Sequence, residues 1–219
     1  MSTAVPVRPK DWVDFHCRLC GNCCRNLEGQ LMPELLDVYR LAHCLREQGE
    51  VEYIEDVYNC YTHVEILENC YPIFVMNTIG SENACVFLKD GRCSVYEVRP
   101  RVCRLYPFNA FPGQRGKAFE FYQCIDQHSA HYTEEKVLVK DWMYQNFKRE
   151  DREFLTAEST TLLELGRLLR ALSPEQLKEN LFQILYYRYY NYDLDQPFMP
   201  QYEKNTEELK RILRDIVGR

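Results

Sequence analysis

The sequence predicts an α+β fold: a small, irregular, cysteine-rich metal-binding layer with a short β-hairpin, followed by a helical C-terminal part. Three observations predict it. All eleven cysteines lie between positions 17 and 124. The stretch ACVFLKDGRCSVY, 84–96, carries Asp90-Gly91, the two-residue type I′ turn signal, between runs suited to strands. Beyond residue 125 there is no cysteine, and apolar residues recur at helical spacing. The expected division is therefore a cysteine-cluster metal-binding domain over 12–125 and a helical extension over 126–219 packed on it.

Each element can be justified in order. PELLDVYRLAHCLREQG reads as a helix, with Pro33 at its first position and Gly49 just past its end. Leu35, Val38, Ala42 and Leu45 share one face, and Cys44 beside them reads as a small buried apolar side chain. In the hairpin, the turn pairs Lys89 with Arg92, Leu88 with Cys93 and Cys85 with Tyr96. In EVRPRVCRLYP, Pro100 opens one helical turn carrying Cys103 and Pro107 stops it. KAFEFYQC reads as a strand ending at Cys124. TEEKVLVKDWMYQNFKRE is expected to be helical from an N-cap at Thr133, and STTLLELGRLLRAL follows it. Ser173-Pro-Glu-Gln176 is a capping box that opens LKENLFQILYYRYY. Asn205 is expected to cap a last helix with Leu209, Ile212 and Ile216 on one face.

Composition excludes several functions. The 219 residues suffice for one substantial domain or two small ones. With 46% hydrophobic and 27% charged residues, the balance is that of an ordinary globular chain. A formal charge of −6 argues against general attraction to nucleic acid or anionic membranes. No apolar run approaches the roughly 20 residues that span a bilayer. MSTAVPVRPKDW lacks the apolar stretch of a secretory signal. The expectation is a cytoplasmic protein with no nucleic-acid partner and no membrane span. In a reducing compartment an odd number of cysteines, two of them adjacent, marks metal or redox chemistry rather than disulfides.

Two clusters carry that chemistry: Cys17-x2-Cys20-x2-Cys23-Cys24, and Cys85-x7-Cys93-x9-Cys103 with Cys124 beyond. Spacings of three bring successive thiolates round a tight turn. A triple C-x2-C run is the way ferredoxins hold an iron–sulfur cluster, whereas structural zinc usually takes one pair from each of two places. The run therefore leans toward iron–sulfur, 4Fe-4S, with zinc as the alternative. Adjacent side chains point in different directions, so Cys23 and Cys24 are not expected to aim at one metal. In the hairpin register Cys85 and Cys93 project from opposite faces, which requires a bulge or separate centres. Two four-ligand sites and one polynuclear site both stay open.

Arg18, Arg25, Arg92, Arg99, Arg101 and Arg104 are interleaved with the cysteines. They would stabilise thiolates, Arg99 and Arg104 foremost, unless they pair with acids instead. His128 and His131, downstream of Cys124, read as surface or hydrogen-bonded groups, His16 as a surface group or one behind a ligand rather than a ligand, and His63 has no partner that the sequence identifies. YYRYYNY, 186–192, reads as the aromatic face of a helix end. No GxGxxG, P-loop, HExxH or GxSxG is present, nor the C-x3-C-x2-C of radical-SAM enzymes. Cys60 or Cys70 near His63 is the pair that a cysteine-nucleophile reading would need.

CRLCGNCC, followed by CVFLKDGRCSVYEVRPRVCRLYPF and a later cysteine, resembles the YkgJ-type cysteine-cluster family, the zinc- or iron-chelating CxxCxxCC domain. The resemblance covers roughly residues 15 to 125. It implies that Cys17, Cys20, Cys23, Cys24, Cys85, Cys93, Cys103 and Cys124 are the eight family cysteines and metal ligands. Cys44, Cys60 and Cys70 fall outside the pattern. The region is also similar to flagellin lysine N-methylase, which implies a protein-modifying enzyme as a further alternative. The expectation is thus a metal-binding protein with a redox or structural centre and a protein or redox partner.

Overall fold

The computed structural model describes residues 4–27, 29, 31–113, 118–125 and 135–218. Among them the order is β1 (Ala4–Val7), β2 (Trp12–Asp14), a 3₁₀ turn (Asn22–Cys24), α1 (Leu35–Glu47), α2 (Ile54–Tyr61), β3 (Thr62–Leu67) and β4 (Tyr71–Met76). Next come β5 (Thr78–Ile79), β6 (Ala84–Cys85), β7 (Leu88–Lys89), β8 (Arg92–Cys93), a 3₁₀ turn (Tyr96–Val98), α3 (Arg101–Leu105), β9 (Phe108–Phe111) and β10 (Glu120–Cys124). The chain ends with β11 (Lys136–Leu138), α4 (Val139–Asn146), α5 (Arg149–Arg170), α6 (Pro174–Leu185), a π-helical turn (Tyr186–Tyr190) and α7 (Phe198–Val217). The fold is α+β, with small antiparallel sheets, as expected.

The contacts divide the chain differently from a break after residue 125. One compact unit is Met1–Glu28 with Thr78–Thr156, and the other is Gly29–Asn77 with Ala157–Arg219. All eight family cysteines fall in the first unit; Cys44, Cys60 and Cys70 fall in the second.

The first unit is held by a three-stranded sheet, β1-β10-β9, and by the pair β11-β2. Its core joins Val13 and Phe15 to Leu105, Phe108, Val139 and Met143. The residues 136–138, expected within a helix, form β11, where Val137 pairs with Val13; β-branched side chains favour that choice. Helix α4 therefore begins at Val139, and the expected cap Thr133 lies outside the described residues, as do His128 and His131. Helix α3 is tied down by Arg104, whose Nη1 and Nη2 donate to Asp151 at 2.9 and 2.8 Å. Asp151 also accepts the Lys148 N–H at 2.8 Å, capping the start of α5.

In the second unit, Leu35, Val38, Ala42 and Leu45 are buried on α1. That helix starts at Leu35 rather than at Pro33, with the Glu34 N–H donating to Asp37 at 3.2 Å. Cys44 is half-buried and accepts from Gln48 Nε2 at 3.3 Å, so it is not the packed apolar residue expected. The Ser173 capping box forms with Pro174 inside α6. Asn205 is no cap: it sits buried within α7 and meets Asn191, whose Nδ2 donates to it at 2.7 Å. A polar side chain facing another segment is satisfied there without ending the helix. Within YYRYYNY, Arg188 is buried against Glu158, and Tyr202 donates to the same carboxylate at 2.8 Å. The Tyr189 hydroxyl donates to the Pro72 carbonyl at 2.6 Å. This tyrosine-rich turn is a packing element.

Candidate metal centre

The CRLCGNCC loop is shaped by Gly21. Its φ is +69°, and a Cβ there would stand 2.7 Å from the Gly91 carbonyl oxygen and 2.8 Å from Leu88 Cδ1. Only a residue without a side chain lets the loop rest on the β7–β8 turn. After Gly21 the chain closes a 3₁₀ turn, with the Cys24 N–H donating to the Gly21 carbonyl at 3.0 Å. It is then laced to the β5–β6 hairpin: Asn26 and Leu27 donate to the carbonyls of Glu82 and Asn83 at 2.8 and 3.0 Å. Arg25 pairs with Glu82. Two segments some sixty residues apart thereby meet inside the first cluster, at Gly21, and just beyond its end, at Arg25 to Leu27.

The hairpin turn forms as expected, with Asp90 and Gly91 at φ +50° and +75° and Leu88 opposite Cys93. The expected pairing of Cys85 with Tyr96 does not form. Cys85 instead faces Thr78 across β5–β6. The reason is visible in two amides. The Phe87 N–H is turned onto the Cys85 sulfur and the Val95 N–H onto the Cys93 sulfur, each two residues on from its cysteine. The Phe87 amide, which the longer ladder would have given to the Ser94 carbonyl, is thereby spent on sulfur, although the Ser94 N–H still donates to the Phe87 carbonyl at 2.8 Å. With Cys85 and Cys93 in different strand pairs, opposite faces of one hairpin no longer separate them.

The thiols act on one another. Burial pushes the Cys85 thiol up, its Phe87 N–H bond opposes this, and the charges of Cys93 and Cys23 add to the rise. Cys93 is raised by burial and by Cys23, and lowered by the Val95 N–H and by Arg99. Cys23 is pushed far up, first by its hydrogen bond with Cys24, then by burial and the Cys24 charge. As neutral thiols, Cys23, Cys85 and Cys93 resist losing protons; a cation among them would reverse that. The Cys23–Cys24 contact differs from the divergent side chains expected of adjacent residues.

Cys17 is exposed and hydrogen-bonded to Tyr96, whose phenol is raised by burial and held back by Arg99. Cys20 precedes the Gly21 turn, Cys103 lies within α3, and Cys124 ends β10 opposite Ala4. Among the described residues, no group of three or more His, Cys, Asp or Glu side chains stands as a ready-made metal site. All eleven cysteines are free thiols.

The arginines separate into roles. Arg99 acts on Cys23 and Cys93 while stacked 3.7 Å above the Tyr96 ring. Arg104 is spent on Asp151, and buried Arg101 donates to Asn109 and the Ala110 carbonyl, so both serve the fold. His16 faces Glu135 at 2.6 Å. His63 engages Asn77 and Glu65, which leaves the supposed pair with Cys60 or Cys70 without support. Gly21, Tyr96 and the two amide donors were not singled out by spacing. A glycine inside a cysteine run that precedes a hairpin is the one signal that could have pointed to the first.

Comparison with known proteins agrees with the cysteine pattern. The family model "CxxCxxCC: Putative zinc- or iron-chelating domain" matches residues 16–142, more than half of the chain. Cobyrinate a,c-diamide synthase of Methanosarcina barkeri is 33% identical over 97 residues, covering 37% of this chain and 20% of that protein. The chain thus spans about a fifth of the curated relative it matches. No solved structure matches it. No helix among the described residues is long and apolar enough to cross a membrane.

Proposed function

This chain belongs to the CxxCxxCC family of zinc- or iron-chelating domains, and on that premise we propose that its first unit houses an iron–sulfur centre in a redox or structural role. Cys23, Cys24, Cys85 and Cys93 are the heart of the donor set, with Cys17, Cys20, Cys103 and Cys124 as the remaining candidates. The observation that carries the reading is the pair of backbone N–H groups aimed at the Cys85 and Cys93 sulfurs. Such bonds stabilise thiolate over thiol and orient it, which is how outer groups prepare a metal ligand. The donor chemistry fits: soft sulfurs from two segments, with the Arg99 guanidinium to offset negative charge. When bound, the group supplies either an electron-transfer centre or a cross-link between the CRLCGNCC loop and the 78–93 hairpins. Eleven free thiols suit a reducing cytoplasm, where the protein meets a protein or redox partner.

Zinc is the second reading, favoured by one feature. Four thiols drawn as pairs from two places are the tetrathiolate set that structural zinc takes. The activity in the name of the Methanosarcina relative belongs to a protein of which this chain matches a fifth, and it is not carried over.

Anaerobic purification with elemental analysis and acid-labile sulfide separates the readings. Brown protein with iron and equivalent sulfide is expected. Colourless protein with stoichiometric zinc replaces iron–sulfur by zinc, and protein free of both overturns metal binding.

A further inference from the structure

Tyr96 and Arg99 form a unit that the cysteine pattern does not include. The Arg99 guanidinium carbon lies 3.7 Å from the centre of the Tyr96 ring, and Nη1 donates to the Tyr96 carbonyl at 2.6 Å. One guanidinium thus fixes both the plane of the ring and the backbone that carries it. Both residues belong to the 3₁₀ turn and its cap immediately after Cys93. The ring's hydroxyl meets Cys17, the first cysteine of the CRLCGNCC loop and an exposed one.

We propose that Tyr96 is a positioning residue for the metal centre: its hydroxyl donates to the Cys17 sulfur, and Arg99 holds the ring in place to do so. The proposal rests on the metal-binding reading and names a group that acts on one ligand without being one. An exposed cysteine outside any helix or strand has no burial to orient its sulfur. A phenol fixed by a stacked, carbonyl-bonded guanidinium supplies a donor at a set position. Hydrogen bonds to sulfur lower the energy of its lone pairs, and so alter the colour and potential of the metal it binds. The role of Arg99 here is geometric. Lysine keeps the charge but cannot stack as a plane or bridge ring and carbonyl in the same way.

Cobalt(II), bound by the full chain under anaerobic conditions, is the probe. Its thiolate-to-metal charge-transfer band reports the sulfur lone pairs directly. In Tyr96→Phe the band is expected to move to longer wavelength, with cobalt affinity down about 10-fold, the lower end of the usual cost of losing an outer-shell partner. Arg99→Lys is expected to reproduce that shift, and the double variant to add nothing beyond either single one. A merely structural role would lower the melting temperature and leave the band in place. Wild-type protein that binds cobalt while Tyr96→Phe keeps the same band overturns this proposal and leaves the metal centre standing. Wild-type protein with no charge-transfer band overturns both.

Discussion

Gly21 occupies a point where no side chain fits, 2.7 Å from a carbonyl oxygen once a Cβ is added and at a positive φ. Gly21→Ala should therefore destabilise the protein by at least about 1 kcal/mol from the backbone conformation alone, with the steric clash adding to it. It should also reduce metal content. Urea denaturation with parallel elemental analysis checks both, and an alanine variant equal to the wild type in both would show that the loop does not rest on the hairpin. The eight cysteines proposed as ligands were picked out by their intervals and by the family resemblance, because cysteines are rare and their spacing carries meaning. Spacing could not identify Gly21, because a glycine between cysteines serves an open loop equally well until its neighbour across space is known. Tyr96 was hidden for the same reason: an aromatic three residues after a cysteine reads as packing.

At the scale of elements, local chemistry was legible and long-range choices were not. The Asp90-Gly91 turn and the Ser173 capping box formed where their residues predicted. Asn205 and residues 136–138 went elsewhere, since a buried amide partner and a strand neighbour outweighed local propensity. The buried Arg104–Asp151 pair joins α3, which carries Cys103, to the start of α5. Asp151→Asn leaves a buried guanidinium uncompensated and should cost about 3–5 kcal/mol in chemical denaturation; a loss near zero would mean the pair is solvated in solution. Helix α2 has a pH signature. Asp56 accepts from the Tyr53 and Glu52 N–H groups, both at 2.9 Å, which hold its carboxyl below the ordinary value of 3.8. Its contribution is fully present above that value and is lost as pH falls through the depressed one. The stability gap between wild type and Asp56→Ala should therefore be constant near neutrality and shrink once pH drops below about 4. A gap that widens on acidification would contradict the capping role.

For the whole molecule, the division into two units sets what a metal can and cannot hold. In the first unit the cysteine-bearing strands β6 and β8 belong to pairs of two-residue strands, which bury little by themselves, beside the core of Val13, Phe15, Leu105, Phe108, Val139 and Met143. The second has long helices packed through Leu165, Leu169, Ile184, Leu209 and Leu213, with Arg188 and Glu158 paired inside. Losing a ligand should therefore loosen one unit alone. In Cys93→Ser, hydrogen exchange is expected to rise across residues 12–27 and 84–124 and to stay unchanged across 160–215, whereas Cys44→Ser should change neither region. Uniform loosening in Cys93→Ser would mean that the metal does not act through the first unit. The sequence marked this boundary poorly, because the second unit takes its residues 29–77 from inside the span that the cysteines bracket. Interleaving of that kind leaves no linker or shift of composition to read.

The convergence of the CRLCGNCC loop and the 84–93 hairpins on one metal is tested most directly by X-ray absorption at the edge of whatever metal co-purifies anaerobically with the full chain. The expected result is a first shell dominated by sulfur at about 2.3 Å, the length of a thiolate bond to such a metal, reduced in sulfur number when Cys93 is serine. A shell of oxygen and nitrogen, unchanged by that substitution, would contradict the account.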